Sequence, residues 1–324
     1  MAVKIALLGF GTVGKGTYRV LNENKDLIFK RTKREIEVKR ILEKNPASIE
    51  CGLAPKELFT QNYDDILKDP EIKIVVEMMG GIEPASSFML KALEAGKSVV
   101  TPNKAAVAAN YEQLHNAALN NGVFIRYEAS VGGAIPVIGA INKALAANKF
   151  TKIEGIVNGT TNYILTKMDE EDLSYEAALK QAQEKGFAEA DPTADVEGID
   201  AANKLCILMA EAFGIYVKPD SIPRKGISAV GKEDIQKAKE NGKKIKLIAK
   251  AVLSEDMKSA EYSVAPTLID NTSPLYHVSN EFNSILLSCN MADDIFLSGR
   301  GAGMDPTGSA VAGDIMEIAQ LING

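Results

Sequence analysis

The sequence predicts an α/β protein with a doubly wound parallel sheet, followed by a second, mixed α+β domain. Three observations predict this fold class. A short apolar strand near the N-terminus runs straight into a glycine-rich turn and a helix, strand and helix patterns then alternate regularly, and 324 residues exceed the usual size of one domain. The composition changes after residue 128, where small apolar residues and glycines begin. We therefore place the first domain at residues 1–133 and the second at residues 134–302.

Composition and charge exclude several classes of protein. The net charge of -6 argues against a nucleic-acid-binding protein, which usually presents a basic face. No apolar run reaches the roughly 18 residues that a membrane-spanning helix needs, and the N-terminus lacks the pattern of a signal peptide. The three cysteines, Cys51, Cys206 and Cys289, are too few and too widely spaced for a disulfide framework or a zinc site. We expect a soluble cytoplasmic protein without nucleic-acid or membrane partners.

The first strand, residues 3–8, ends in a glycine-rich loop that leads into a helical stretch. The spacing G-x-G-x-x-G between a strand and a helix is typical of a Rossmann-type dinucleotide-binding domain. Its first glycine permits the tight turn, the second lets the backbone approach the pyrophosphate, and the third allows close helix–strand packing. The helix N-terminus then offers amide hydrogens to the phosphates. We expect the cofactor to contact Gly9, Phe10, Gly11, Thr12, Val13 and Gly14.

The end of the second strand, residues 36–42, bears on which dinucleotide is bound. NAD-binding domains usually carry an acid there for the ribose hydroxyls, and Glu43 is a candidate. Arg40 and Lys44 lie close by in sequence, and an arginine at this place suits the 2′-phosphate of NADP. The cofactor is therefore expected to be NADP or NAD, with NADP favoured.

Two further strands of the first domain end in residues that leave room for a ligand. Strand 72–76 runs into Gly80 and Gly81, and strand 97–100 runs into Thr101 and Lys104. The carboxyl ends of parallel strands form the binding crevice of a doubly wound sheet, so Gly80, Thr101 and Lys104 are expected to line the cofactor site. Helices at residues 84–95 and 111–120 and a strand at residues 123–127 complete the alternation.

The second domain reads as a mixture of helices and antiparallel strands. A strand at residues 151–157 turns into a helix within residues 158–165, with Thr160 or Thr161 near its N-cap. Helices then cover residues 176–186 and the apolar run that ends at Phe213, and strands cover residues 244–253, 261–269 and 294–297. A glycine-rich loop at residues 298–308 precedes a final helix at residues 309–322. We expect the C-terminal segment 303–324 to pack back onto the first domain.

An acidic stretch at residues 186–205 is the first place to look for a substrate. Dense acids beside an apolar helix are costly unless a cation or hydrogen-bond donors face them. The alternative is a solvated helix cap, in which Asp200 and Lys204 form a surface pair of about 0.3–0.5 kcal/mol. A calcium loop is disfavoured because the required acid spacing is missing. The charged residues of this stretch considered for substrate binding are Glu189, Asp191, Asp195, Glu197, Asp200 and Lys204.

Hydride transfer to a small substrate also needs an acid–base group. His115 lies within a helix and His277 lies in a loop without an evident partner, so neither is expected to be catalytic. The domain junction lacks the cysteine that a phosphorylating semialdehyde dehydrogenase requires. Two lysines remain, Lys104 and Lys204, and two partly desolvated ammonium groups near each other would lower each other's pKa.

Taken together, these motifs resemble homoserine dehydrogenase along nearly the whole chain. The matching segments are GFGTVG, VVEMMGG, TPNK, EASVGGAIP, NGTTNYIL and GFAEADPTADVEGIDAANKL, of which the last is the most specific. The resemblance implies the NAD(P)-linked, reversible reduction of L-aspartate 4-semialdehyde to L-homoserine, a step toward threonine, methionine and isoleucine. It also implies that the second domain binds substrate, carries the catalytic residues and forms a homodimer.

The resemblance further implies roles for individual residues. Lys204 would be the acid–base group, with Asp200 orienting it or holding substrate, and Lys104 would be a second active-site lysine near the nicotinamide. Carboxylates of Glu189 and Asp195 would bind the substrate ammonium, and backbone amides near Gly159 and Thr160 would meet the substrate carboxylate. Gly303 would add a cofactor contact. A monovalent cation, sodium or potassium, would be bound at the domain junction by Glu128, Val131, Gly133 and Ile135.

Two alternatives remain open from the residues alone. One is a non-catalytic, dinucleotide-sensing dimer, which needs neither the lysines nor the acidic stretch. The other is another lysine-dependent Rossmann dehydrogenase, although that class usually has Glu-Lys-Pro where this chain has Pro102-Asn103-Lys104. Many homoserine dehydrogenases also carry a C-terminal regulatory domain, whereas this sequence ends at Gly324, so we expect no threonine feedback on this polypeptide.

Overall fold

The structure, a computed structural model, describes residues 2–322 apart from the side chains of Pro46 and Ala47. The chain divides into two compact units. The first unit combines Met1–Ala134 with Ala302–Gly324, and the second unit is Ile135–Gly301. The second unit is therefore inserted, in sequence, between the two segments of the first. Within the described residues, no helix is both long and apolar enough to cross a membrane.

Six parallel strands form the sheet of the first unit, in the order β3-β2-β1-β4-β5-β6. The order reverses between β1 and β4, which pair in parallel and create a topological switch point at their carboxyl ends. The doubly wound sheet predicted from the sequence is confirmed. Its strands are β1 (Val3–Leu8), β2 (Ile36–Leu42), β3 (Phe59–Thr60), β4 (Ile72–Glu77), β5 (Ser98–Val100) and β6 (Ile125–Arg126).

Parallel strands are covered on both faces, so the central ones consist almost entirely of apolar residues. Ile5, Leu7 and Leu8 of β1 and Ile74 and Val76 of β4 are all fully buried. The helices of the N-terminal segment are α1 (Thr12–Glu23), α2 (Lys25–Thr32), α3 (Pro46–Ile49), α4 (Asp64–Leu67), α5 (Ala85–Glu94), α6 (Lys104–Ala109) and α7 (Tyr111–Asn120).

The second unit contains a five-stranded antiparallel sheet in the order β11-β10-β7-β8-β9. Its strands are β7 (Phe150–Ile156), β8 (Lys243–Leu253), β9 (Ala260–Asp270), β10 (Phe282–Cys289) and β11 (Asp293–Arg300). Strand β10 was not predicted from the sequence, and the predicted strand 294–297 covers only half of β11. The helices are α8 (Val137–Gly139), α9 (Gly159–Glu170), α10 (Tyr175–Glu184), α11 (Thr193–Val196), α12 (Ile199–Phe213) and α13 (Lys232–Glu240).

Helix α12 is the central helix of the second unit and packs against β7 and β8. Glycines in the left-handed conformation, Gly198 (φ 77°) and Gly214 (φ 67°), flank it at either end. Ten of its fifteen residues are buried, including Asp200 and Lys204. An apolar helix thus carries two charged side chains into the interior.

The last helix of the chain, α14 (Met304–Leu321), belongs to the first unit and packs against α1. A Cβ atom on Gly16 would overlap the Met304 carbonyl, and one on Gly308 would lie 2.6 Å from the carbonyl carbon of Gly16. The predicted start at residue 309 was therefore wrong, because Gly308 lies inside the helix and serves the close approach of two backbones. Pro306 is tolerated because the first turn has no intrahelical partner for its nitrogen.

Candidate active site

The centre of the site in the second unit is a buried ion pair on α12. The Nζ atom of Lys204 lies 2.7 Å from Oδ2 of Asp200 and donates a second hydrogen bond, also 2.7 Å, to the carbonyl oxygen of Val157. The two side chains are only 9% and 6% exposed. This is not the solvated surface pair that was the alternative reading of this sequence, and a buried charge pair needs such additional hydrogen bonds to persist.

Asn158 joins this pair to the acidic stretch, and the sequence analysis did not include it among the site residues. Its Nδ2 atom donates to Oδ1 of Asp195 at 2.7 Å and to Oδ2 of Asp200 at 2.8 Å. Its Oδ1 atom accepts from the backbone N–H of Thr161, so Asn158 is the N-cap of α9. Thr160 and Thr161 lie near this N-cap, as predicted, although the capping side chain itself is that of Asn158. The sequence signal was Asn before Gly-Thr-Thr, since asparagine is among the preferred N-cap residues.

Gly159 and Thr160 form the first turn of α9, whose N-terminus carries the partial positive charge of a helix dipole. A Cβ atom on Gly159 would lie 2.7 Å from the Glu281 carbonyl oxygen, so only glycine fits there. The Thr160 hydroxyl donates to the Phe187 carbonyl oxygen at 2.6 Å. That bond ties the first turn of α9 to the start of the acidic stretch.

The five carboxylates of the acidic stretch differ in their surroundings. Asp195 and Asp200 belong to the network around Asn158. Asp191 accepts from the backbone N–H and hydroxyl of Thr193, and these bonds lower the pKa of Asp191. Glu197 accepts from the Ser228 hydroxyl, and Glu189 is exposed in the loop before α11.

The glycine-rich loop of the first unit has the geometry of a pyrophosphate cradle. Gly9 has φ 96°, and a Cβ atom there would lie 2.9 Å from the Met78 carbonyl oxygen, while one on Gly14 would overlap the Gly9 carbonyl. A Cβ atom on Gly11 would meet nothing within 4 Å, so the backbone there is open to a ligand. Helix α1 begins at Thr12 without an acid in its first turn, which leaves its N-terminus for an anion.

Glu43, the candidate ribose-binding acid at the end of β2, organises the loops beside it. Its Oε2 atom accepts from the Phe10 backbone N–H at 2.8 Å, and its Oε1 atom accepts from those of Lys44 and Asn45 at 2.7 and 2.8 Å. Arg40 is half-buried on β2, and its Nη1 atom donates to the Lys39 carbonyl oxygen. Glu43 thus fixes the fingerprint loop through the backbone of Phe10.

A buried carboxylate, Glu77, lies where β4 ends, next to Gly80 with φ 79°. It accepts from the Thr101 hydroxyl and from the Met79 backbone N–H, both at 2.7 Å, and burial raises the pKa of Glu77. Asn103 caps α6 and donates to the Gly81 carbonyl oxygen at 2.7 Å. Lys104 is the first residue of α6. Glu77 was not predicted as a site residue, although an acid that ends an apolar strand is unusual.

The residues expected to hold a cation fall in both units. Glu128 starts a short 3-10 helix in the first unit, and Val131 and Gly133 are buried just after it, whereas Ile135 is the first residue of the second unit. The Glu128 backbone N–H donates to Oδ2 of Asp314 at 2.9 Å. Burial, with the nearby Glu128 charge, raises the pKa of Asp314 to about 8. Within the described residues, no cluster of three or more His, Cys, Asp or Glu side chains has the arrangement of a metal site.

Neither histidine takes part in the Lys204 network. His115 contacts the Tyr111 carbonyl oxygen and the Tyr127 hydroxyl, both at 2.8 Å, in the first unit. His277 ends a short 3-10 helix in the second unit. Gly303, with φ 118°, is the N-cap of α14.

The first unit has a doubly wound sheet with a dinucleotide fingerprint, and the second unit has a buried lysine–carboxylate pair. This combination is that of an oxidoreductase of the NAD(P)-binding class. Two family models match the chain: one described as homoserine dehydrogenase over residues 136–316, and one described as its NAD-binding domain over residues 9–128. The chain belongs to the homoserine dehydrogenase family. The resemblance found in the sequence is thereby confirmed.

Relatives of known activity and solved structures agree with this assignment. The chain is 39% identical to the homoserine dehydrogenase of Bacillus subtilis and 42% identical to that of Synechocystis, covering 98% and 99% of this chain and 73% and 74% of those proteins. The crystal structure of a homoserine dehydrogenase from Thiobacillus denitrificans matches with a TM-score of 0.95 at 41% identity, over 99% of this chain and 74% of that one. A hyperthermophilic archaeal homoserine dehydrogenase in complex with NADPH matches with a TM-score of 0.85 at 27% identity, over 100% of this chain and 99% of that one.

Proposed function

We propose that this homoserine dehydrogenase uses Lys204 as the acid–base group in the interconversion of L-aspartate 4-semialdehyde and L-homoserine. The observation that carries the proposal is the buried Lys204 ammonium, held by Asp200 and the Val157 carbonyl oxygen. Burying a lysine in an enzyme interior is costly, so a lysine retained there, with a fixed hydrogen-bond geometry, is a candidate for proton transfer.

In the reducing direction, Lys204 acts as a general acid. A bound nicotinamide supplies the hydride to the aldehyde carbon. The Lys204 ammonium gives its proton to the oxygen on which negative charge develops. Asp200 holds the ammonium in place while it is charged and keeps the lysine from turning away. In the oxidising direction, Lys204 starts neutral and takes the hydroxyl proton, so homoserine oxidation is favoured at alkaline pH.

The zwitterionic substrate needs groups of both signs, and the second unit contains candidates for each. The N-terminus of α9, at Gly159 and Thr160, presents backbone amides and a positive dipole end to the substrate carboxylate. Asp195, held by Asn158, and the exposed Glu189 provide carboxylates for the ammonium. Lys104 is assigned to the nicotinamide end because it follows β5 at the carboxyl edge of the first sheet.

The first unit fits a dinucleotide, and its residues favour NADP. The open backbone at Gly11 and the acid-free start of α1 suit a pyrophosphate. Both oxygens of Glu43 already accept backbone hydrogen bonds, which weakens its suitability as a ribose ligand. Arg40 is then the cation best suited to a 2′-phosphate. The NADPH bound by the archaeal relative supports this preference.

A monovalent cation fits the chemistry of the junction residues. The Glu128 carboxylate and the carbonyl oxygens of Val131, Gly133 and Ile135 are hard oxygen donors of the kind that sodium or potassium binds. The carboxyl group of Asp314 is buried beside Glu128, and a bound cation would stabilise its charged form. The test is the thermal unfolding temperature in sodium, potassium or tetramethylammonium chloride at equal ionic strength, for wild type and for Glu128→Gln. A higher unfolding temperature in sodium or potassium than in tetramethylammonium, seen in the wild type alone, supports the site. Equal unfolding temperatures in all three salts contradict it.

A homodimer and a cytoplasmic location stay predictions from the sequence. The membership in this family implies a place in threonine, methionine and isoleucine biosynthesis. No observation favours a non-catalytic, dinucleotide-sensing dimer over turnover.

The test of the acid–base role follows NADPH and NADH absorbance with L-aspartate 4-semialdehyde, for wild type and Lys204→Met. Loss of a general acid should lower kcat by about a hundredfold or more. Lys180→Met, which replaces a lysine that is 77% exposed in the same unit, is the matched control and should keep full turnover. Undiminished turnover of Lys204→Met would refute the proposed role.

A further inference from the structure

Asn158 occupies the turn between β7 and α9, two residues after the strand ends, and only 5% of it is exposed. Its side-chain amide makes four hydrogen bonds. Two go to carboxylates, Asp195 and Asp200, and two come from Thr161, through the backbone N–H and the hydroxyl, both at 2.9 Å. An amide has two donor hydrogens and one oxygen with two lone pairs, so its capacity is filled.

The orientation of this amide follows from its partners. The Thr161 backbone N–H can only donate, so the atom that faces it must be the amide oxygen. The nitrogen is thereby directed at the two carboxylates. Exchanging the two atoms would set donor against donor at Thr161 and oxygen against oxygen at Asp195 and Asp200.

Two consecutive residues hold both members of the Lys204–Asp200 pair. The Val157 carbonyl oxygen accepts from the Lys204 ammonium, and the Asn158 amide donates to the same Asp200 oxygen that Lys204 contacts. The end of β7 thus fixes the lysine through the backbone and the aspartate through a side chain. Because the amide is neutral, it stabilises the Asp200 carboxylate without adding charge to the network.

We infer that Asn158 is a positioning residue for Lys204: its amide sets the place of Asp200 and, through Asp195, ties the acidic stretch to the same point. The inference rests on the proposed acid–base role of Lys204. Asn158 acts through Asp200 and contacts neither the Lys204 ammonium nor a reacting atom. Its second task, capping α9, is separable because capping uses the oxygen and positioning uses the nitrogen.

The ionisable side chains in this network are Lys204 and Asp200 on α12 and Asp195 on α11. Strands β7 and β8, which pack against α12, carry further charged side chains. Glu154 on β7 pairs with Lys250 on β8 at 3.3 Å. Lys152 pairs with Glu154 on β7. Arg224 pairs with Asp220, which lies in the 3-10 helix Pro219–Ser221 that contacts α12.

Asn158→Asp tests the inference because aspartate keeps the size and the capping oxygen but loses both donors and adds a negative charge. Misplacing Asp200 should lower kcat for homoserine oxidation by about tenfold or more. The added charge favours the ammonium, so the rise of kcat with pH should move up by about one pH unit. If asparagine served only as a helix cap, aspartate would leave kcat at its plateau unchanged, whereas the shift with pH follows from the added charge in either case.

A second variant removes the charge from the comparison. Asn158→Ser keeps an oxygen for the cap, carries no charge and cannot donate to both carboxylates. We expect kcat to fall by about tenfold, with the dissociation constant for NADPH unchanged. Ser174→Ala removes the cap of α10, where Ser174 accepts from Ala177 at 3.2 Å, and is the control for lost capping. It should lower the unfolding temperature without changing kcat or its pH profile.

Lys204→Met, measured in parallel, separates the two possible failures. If Lys204→Met keeps turnover, the acid–base role fails, and the positioning role with it. If Lys204→Met is inactive while both Asn158 variants match wild type in kcat, the positioning inference alone is overturned. Should Asn158→Asp not fold, Asn158→Ser decides by itself: wild-type kcat overturns the inference, and a tenfold loss supports it.

Discussion

The hydroxyl of Thr101 donates a hydrogen bond to the buried carboxylate of Glu77 at 2.7 Å, and so joins the segments that follow two neighbouring strands of the first unit. The same hydroxyl accepts from the Asn103 backbone N–H at 3.0 Å. Thr101 therefore connects the end of β4 with the turn that starts α6 and presents Lys104.

Replacing Thr101 by valine should destabilise the protein. Valine has nearly the same shape but leaves the Glu77 carboxylate with one donor fewer and the Asn103 N–H without its acceptor. We expect a loss of about 1–3 kcal/mol in the free energy of unfolding, together with a higher KM for the cofactor. Urea-induced unfolding and initial rates measure the two effects. Thr101→Ser, which keeps the hydroxyl, is the control, and equal losses in both variants would contradict the role of this bond.

Lys246 should make the free energy of unfolding increase with pH in the alkaline range. This lysine is 2% exposed and donates to Oδ1 of Asn162 and to the Val278 carbonyl oxygen. Burial lowers the pKa of Lys246 from 10.5 to about 8. Between these values the unfolded chain binds the proton more tightly, so folded stability rises with pH, by up to about 3 kcal/mol.

The measurement is urea-induced unfolding at several pH values between about 7 and about 10, comparing wild type with Lys246→Met. The variant should lack the part of the rise that this lysine contributes. Lys250→Met, on the same strand but with its side chain 45% exposed, should keep the wild-type slope. Parallel curves for wild type and Lys246→Met would show that Lys246 is not the source.

Gly301 should not tolerate a side chain. A Cβ atom there would overlap the side-chain amide of Asn283, which is 1% exposed, so the amide or the backbone must shift. We expect Gly301→Ala to cost about 1–3 kcal/mol in the free energy of unfolding. Gly313→Ala is the opposite case, because that exposed helical glycine has nothing within 4 Å and alanine should stabilise α14 by about 0.5–1 kcal/mol. Calorimetric unfolding of both variants measures the two changes in stability. Changes in the same direction for both variants would contradict the prediction.

Arg40 should discriminate between the two cofactors. Arg40→Leu removes the cation proposed for the 2′-phosphate, so the dissociation constant for NADPH should rise about tenfold while that for NADH stays unchanged. Cofactor fluorescence titrations give both constants. Arg31→Leu, an exposed arginine on α2, is the control and should affect neither. An equal loss for both cofactors would point to damage of the fold.

Structural features that depend on residues close together in sequence could be predicted, whereas features that depend on residues far apart in sequence could not. The sheet of the first unit was predictable because its strands are continuous apolar runs and its turn chemistry is local, as in Gly9 to Gly14. Strand β10 was missed because its apolar and polar residues lack clear alternation and one of its two neighbours, β7, lies far from it in sequence.

The site was predictable only in part for the same reason. Asp200 and Lys204 are one helical turn apart, so their pairing follows from the spacing. The bonds of Asn158 to Asp195 and Asp200 span 37 and 42 residues, and Glu77 reaches Thr101 over 24 residues. Such contacts depend on the fold and leave no local pattern, which is why both residues escaped notice.

The close approach of α1 and α14 at Gly16 and Gly308 has a consequence for synthesis on the ribosome. The core of the first unit includes Val311, Ile315 and Ile318 of α14, all fully buried. A nascent chain that has emerged only as far as residue 134 lacks these side chains, and its apolar surface around α1 stays uncovered. The first unit can therefore complete its core only after the inserted unit has been translated, and until then the side chains that pack against α14 stay without this cover.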